Sequence, residues 1–281
     1  MSEKDQSFRL YLLANTAKFE ESYRNAVISL DEDAIHDYRV ALKKLRTLNL
    51  FLKKSNLSNS DLSNSLKGFK KIFKIGGLIR DYQVFKNITR EHEIIHSIDY
   101  SGFLDFLDIQ ISAIKGTFIE KSVKSLPQLE TESWRNLIGE DLNIEDYQIH
   151  EASLKFIKDV MNAVKDILSV ENLDNNQLHL TRKLLKQIRF IYEMRMAEEW
   201  NSPEHQLHLE LLKKLEAILG VWHDKVTMLS TLRFFTGQLV DTNINKKYFN
   251  LEKGLEKEIH EVLRPLKNEF AKEYDWFIEL V

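Results

Sequence analysis

The chain has no cysteine, which excludes disulfide staples, thiolate-bound zinc and thiol catalysis. Glycine and proline are scarce, 9 and 3 in 281 residues, too few turn-formers for a sheet protein of this length. No uncharged apolar run is long enough to span a bilayer, and the opening MSEKDQSFRL is polar where a secretory signal would be apolar. Nor is there an excess of one charge, since 40 Lys+Arg against 43 Asp+Glu leave −3. What remains is 43% hydrophobic and 30% charged, the balance of a soluble globular chain. The expectation is an intracellular, mostly helical protein whose basic sites, if any, are local.

Self-similarity organises the rest. The segments IHDYRVALKKLR, from Ile35 to Arg46, and LHLTRKLLKQIR, from Leu178 to Arg189, share one spacing. His36, Arg39, Lys43 and Arg46 have His179, Arg182, Lys186 and Arg189 as counterparts, each 143 residues on. The same displacement places Lys70 and Lys71 on Lys213 and Lys214, Ile75 on Ile218, Gly77 on Gly220, Arg80 on His223 and Asp81 on Asp224. A constant offset over four blocks implies duplication, with a first half at 1–140, a second at 146–281, and a joint from Pro127 to Asp146. Periodicity near 3.6 gives helices at roughly 7–29, 33–54, 60–76, 79–96 and 101–125. In the second half it gives roughly 150–169, 174–198, 204–220, 223–239 and 245–281, the last broken at Pro265.

At about 100° per residue, His36, Arg39, Lys43 and Arg46 fall within an arc of about 80°. Ile35, Tyr38, Ala41, Leu42, Leu45, Leu48 and Leu52 fill the adjoining arc, which is the core face. Leu178, Leu184, Leu185, Ile188, Ile191 and Tyr192 do the same in the second copy. Each stripe should therefore stand beside the core and not inside it. Four like groups at i, i+3 and i+4 cost a few tenths of a kcal/mol each, and no acid is interspersed among them. The pattern is that of an anion receptor, with Arg as a bidentate fork, Lys as a point charge and His as a titratable donor. Lys44 and Lys183 flank the stripes, while Lys70, Lys71, Lys74, Lys213 and Lys214 read as solvated. Asp81 and Asp224 read as helix caps or as acceptors that fix a stripe arginine.

The motif His-x-x-Arg-x-x-x-Lys-Lys-Leu-Arg, followed by Gly-Gly-x-x-Arg-Asp and repeated, resembles the CHAD domain, the conserved histidine α-helical domain, over nearly the whole chain. The resemblance implies an all-α fold of two four-helix-bundle halves related by pseudo-twofold symmetry, with a basic groove or cavity. It implies non-catalytic binding of inorganic polyphosphate or a similar polyanion, no cofactor, and a cytoplasmic location, in association with polyphosphate granules. Carried over residue by residue, the site comprises His36, Arg39, Lys43, Lys44, Arg46, Arg80, His179, Arg182, Lys183, Lys186, Arg189 and His223. Two departures stand out: Arg80-Asp81 becomes His223-Asp224, and Gln187 occupies a position where the family often has a second basic residue. A weaker or more pH-dependent second half is the expectation.

Two other chemistries compete. A nucleic-acid backbone binder could use the same stripes, although no aromatic is interleaved with them for base stacking. His92-Glu93-Ile94-Ile95-His96 is a literal His-Glu-x-x-His, the pattern in which two histidines ligate zinc and the glutamate acts as base. It ranks last, because no third ligand follows at a recognised spacing and position 235 of the duplicate is Phe.

Overall fold

The computed structural model describes residues 7–57, 66–130, 144–198, 202–239 and 242–280. Among them lie eight α-helices and no strand. They are α1 (Ser7–Ser29), α2 (Glu32–Lys54), α3 (Lys70–His96), α4 (Ser101–Ser125), α5 (Asp146–Leu168), α6 (Asn175–Glu198), α7 (Pro203–Thr236) and α8 (Thr242–Leu280). One 3-10 turn, Leu126–Glu130, follows α4. The fold is all-α. Most of the expected joint, 131–143, and the start of the expected helix at 60–76 lie outside the described residues.

Local chemistry sets several helix starts. Asp31 caps α2 by accepting from the Ala34 N–H at 2.7 Å, and Glu32 and Asp33 place negative charge in the first turn, where the helix dipole favours it. Asp174 and Gln177 cap α6 reciprocally, at 2.7 and 2.8 Å. Ser202 and Pro203 open α7.

Three expected breaks are absent. Helix α3 runs unbroken through Gly76-Gly77, and α7 through Gly220. The glycines serve close approach here, not a turn. A Cβ on Gly76 would stand 3.1 Å from the Phe118 ring and 3.2 Å from the Tyr38 ring, and one on Gly77 would stand 2.7 Å from Arg39 Nη1. Glycine costs helix stability, and this packing requires it. Helix α8 likewise continues through Pro265. Proline removes one N–H bond there, and the burial of Leu266, Phe270 and Tyr274 in the core holds the following turns in place.

Consecutive helices pair, α1 on α2, α3 on α4, α5 on α6 and α7 on α8, while α2 touches α6 and α3 touches α7 across the two halves of the sequence. The larger core draws residues from all eight helices, including Leu42, Phe118, Ile157, Ile188, Trp222 and Phe270. Phe51 meets Phe156 edge-on at 5.7 Å between centroids. The smaller core joins the far ends of α3 and α4 to α7 and α8, through Phe85, Phe103, Leu232 and Leu255. Every residue assigned to the core face of α2 is buried. Leu178, Leu185, Ile188, Ile191 and Tyr192 are buried on α6, with Leu184 partly so.

Candidate functional site

Because the apolar arcs of α2 and α6 both turn into one core, their basic arcs turn toward each other. The result is a cleft of about 760 Å³ between α2, α3, α6 and α7. Eight of the twelve candidate residues line it: His36, Arg39 and Lys43 from α2, Arg80 from α3, Arg182, Lys186 and Arg189 from α6, and His223 from α7. Next to it a smaller annex of about 350 Å³ lies between α2 and α6, lined by Arg46, His179 and Lys183, and sharing Lys43, Phe73, Arg182, Lys186 and Phe190 with the main cleft. The stripes were expected to stand beside the core and to line a basic groove or cavity. There Arg39, Lys43, Arg46, Arg182, Lys186 and Arg189 are half-buried, with α3 packed on the first stripe through Phe73 and Gly77 and α7 meeting the second through Glu216. His36, His179 and Lys183 stay exposed.

Lys44 lines neither cleft. Its ammonium lies 3.6 Å from Glu193 and 4.9 Å from the Tyr11 ring centroid. Arg80 is in the cleft but is ion-paired to Glu32. Of the lysines expected to be solvated, Lys74 reaches the cleft lining, while Lys214 pairs with Glu269 and Lys70, Lys71 and Lys213 are exposed.

Phe73 is the residue that spacing did not reveal. Arg39 donates to its backbone carbonyl. The guanidiniums of Arg39 and Arg46 lie 4.3 and 4.6 Å from its ring centroid, and the Lys43 ammonium 5.7 Å, within cation–π range. An aromatic one helix away from a basic stripe is legible only once α3 is docked on α2.

The electrostatics are those of cations gathered in a poorly solvated place. Burial, then Lys186, Arg39 and Arg182, push the Lys43 ammonium down to about 6. Burial, then Arg182, push Lys186 down to about 8, with Glu216 pulling the other way. Arg39 and Arg46 are lowered by burial. Arg189 behaves differently: burial lowers it, but Glu216 and Glu193 outweigh burial and raise it. Its Nε donates to Glu216 Oε1 at 2.7 Å, and its Nη1 donates to Glu193. Arg39, Lys43, Arg182 and Lys186 have no ion pair among the described residues.

Asp81 and Asp224 both line the cleft. Neither caps a helix, since α3 and α7 run straight through them. Burial raises the Asp81 carboxyl, with Arg39 and His223 drawing it back. Asp224 Oδ1 lies 3.4 Å from His223 Nδ1. The His223 ring is 4.8 Å from His179, whose own ring packs edge-on against Trp222 at 5.1 Å. Burial, then His223, holds His179 below the usual imidazole range.

The His-Glu-x-x-His motif is used for packing. His92 is 4% exposed, and its Nε2 faces Glu258 Oε1 at 3.3 Å. Glu93 is turned away, accepting from the Tyr100 N–H at 2.7 Å. The zinc-peptidase reading fails on this geometry, because its base is spent on a backbone amide and one of its ligands faces a carboxylate. No group of three or more His, Asp or Glu among the described residues is placed to hold a metal ion. No described helix is long and apolar enough to cross a membrane.

A family model described as the CHAD domain matches residues 11–233. No curated protein sequence gives a significant match. Among solved structures, the chain is similar to the crystal structure of the CHAD domain from the plant Ricinus communis, with 17% identity and a TM-score of 0.62, over 95% of this chain and 90% of that one. At that identity the likeness shows the fold. With the family model spanning α2, α3, α6 and the cleft they enclose, the protein belongs to the CHAD-domain family.

Proposed function

We propose that the protein binds inorganic polyphosphate, without catalysing its turnover, through the cleft between the two motif helices. One observation carries this reading: Arg39 and Lys43 of α2 meet Arg182 and Lys186 of α6 across one cleft, and none of the four is ion-paired among the described residues. Partly desolvated charges without a counter-charge are costly, and the depression of Lys43 to about 6 records that cost. An anion entering the cleft replaces lost solvation with charge-assisted hydrogen bonds.

A linear phosphate polymer can engage cations from α2, α3, α6 and α7 along the cleft and its adjoining annex, which a compact anion cannot span. Its condensed counterions are released as the cations neutralise it, which gives a strong salt dependence. A chain reaching from the main cleft into the annex gains from added contacts and from effective concentration. Single-stranded nucleic acid offers the same charge but needs stacking faces, and the Phe73 ring is already faced by Arg39 and Arg46.

The test is binding of long-chain polyphosphate against an equal charge concentration of single-stranded DNA, across salt, for the natural chain and an Arg39→Ala/Arg182→Ala variant. Preferential, salt-sensitive polyphosphate binding that the variant loses supports the reading, as does unchanged polymer length after incubation. Equal DNA binding, or binding that the variant retains, refutes it.

A further inference from the structure

The annex is chemically unlike the cleft it adjoins. Its walls include Leu50, Phe73 and Phe190 together with the aliphatic stems of Lys43, Arg46 and Lys186. Leu50 is half-buried, yet it is not among the apolar side chains packed on either core. Its carbon faces the annex. At about 350 Å³ the space falls within the range of small-molecule sites, which are mostly apolar with a few placed polar groups.

One such polar group is present. Gln187 is 7% exposed and lines the annex, and its amide has no hydrogen-bond partner among the described residues. The amide is open to the annex, so both its N–H donors and its carbonyl acceptor are available to a bound group. Its counterpart 143 residues earlier is Lys44, which turns away to Glu193. The repeat thus carries a neutral, bidentate donor–acceptor where the first copy has a cation. Gln and Asn amides pair in this bidentate way with the edge of a nucleobase, adenine above all.

An inorganic chain can use the amide's N–H donors but neither the carbon walls nor the amide's acceptor oxygen, whereas a phosphate chain bearing a nucleoside uses all three. Building on the polyphosphate reading of the main cleft, we infer that the site accepts nucleoside polyphosphates, with the phosphates among Arg39, Lys43, Arg182 and Lys186 and the base in the annex against Leu50 and the Gln187 amide. Gln187 and Leu50 are then the residues that set selectivity between a nucleoside polyphosphate and a bare one.

The probes are ATP and inorganic tripolyphosphate, titrated without divalent metal by calorimetry, with long-chain polyphosphate as the reference ligand. One bidentate base contact in a partly apolar pocket predicts ATP binding about tenfold tighter than tripolyphosphate. Gln187→Met, of similar volume and without the amide, brings that ratio close to one while leaving tripolyphosphate affinity unchanged, which also reports an intact cleft. Leu50→Lys reverses the ratio by adding charge where the base would sit. A ratio of one or less in the natural chain, or a ratio that neither variant moves, overturns the inference while normal binding of long-chain polyphosphate leaves the main reading standing. Failure of all three ligands to bind overturns both.

Discussion

Helices α2 and α6 carry the same four motif positions, but the residue that receives them differs. On α3 that residue is Phe73, and on α7 the position at the same displacement is Glu216. Arg46 therefore lies over an aromatic ring, while Arg189 is held by two carboxylates. The consequence reaches the lysines between them: Lys43 is depressed to about 6, and Lys186, which feels Glu216, only to about 8. The glycines differ as well. Arg39 is pressed against Gly77, whereas the nearest atom to a Cβ on Gly220 is Arg182 Nη2 at 4.0 Å. One repeated motif thus yields a compressed, uncompensated half and a looser, partly neutralised one. The spacing fixes where the charges stand, and the facing helix fixes how charged they are.

The sharpest way to break this comparison is to remove the central charge from both halves. Lys43→Met/Lys186→Met is expected to weaken polyphosphate binding by at least about a hundredfold at low salt and to reduce the slope of log K against log salt by about 1.4, at roughly 0.7 per lost charge. The same variant should melt at a higher temperature, since it relieves repulsion. A variant that binds less well and is also less stable would point to a structural role for the lysines.

The next effect is on pH. Below about 6 the Lys43 ammonium is charged before the ligand arrives, and above that value binding must draw in a proton. Affinity should fall about tenfold per pH unit above pH 7, more steeply past about 8 as Lys186 joins. Lys43→Arg should flatten the lower part of this profile. His179, held below the usual imidazole range, acts with the same sign at lower pH, so the slope is read above pH 7.5. Stability of the free protein runs in the opposite sense. Between about 6 and the unfolded-state value of Lys43 the unfolded chain binds more protons, so stability rises with pH, and Lys43→Met removes the part of the rise below about 8, leaving what Lys186 adds above it.

A smaller change makes the second half resemble the first. Glu216→Gln releases Arg189 from one carboxylate and is expected to tighten polyphosphate binding by roughly three- to tenfold, at a cost of about 2–3 kcal/mol in stability, as for a half-buried pair broken on one side. Chemical denaturation and a binding titration on the same sample separate the two effects. The glycines give the smallest contrast. Gly220→Ala should stabilise by about 0.5–1 kcal/mol from helix propensity with affinity unchanged. Gly77→Ala must displace Arg39 from the Phe73 carbonyl, so it should gain less stability and lose several-fold in affinity. Equal behaviour of the two variants would remove the distinction between the halves.

Much of this was legible in residue order. Scarce glycine and proline with 3.6-residue periodicity gave helices, and a repeated 3-4-3 spacing put four basic groups on one face because helix geometry is local. Eight of the twelve candidate residues line the main cleft and three more the annex. What misled the sequence reading was also local: Gly76-Gly77 looks like a break, and only the close approach of Tyr38, Phe118 and Arg39 shows that it is a packing requirement. Lys44 fits the family's basic pattern, but on the helix it falls outside the stripe and meets Glu193.

The sequence by itself determined the helices, the basic and apolar arc of each motif helix, and the displacement that relates them, since all follow from side-chain order on a fixed helical pitch. Only the tertiary structure decided that the two stripes face each other, that Phe73 and Glu216 receive them, and that a nearly buried Gln187 looks into a carbon-walled annex. Burial, the distance between charges and the solvent left around them arise when distant helices pack, and those quantities set how much each cation is worth.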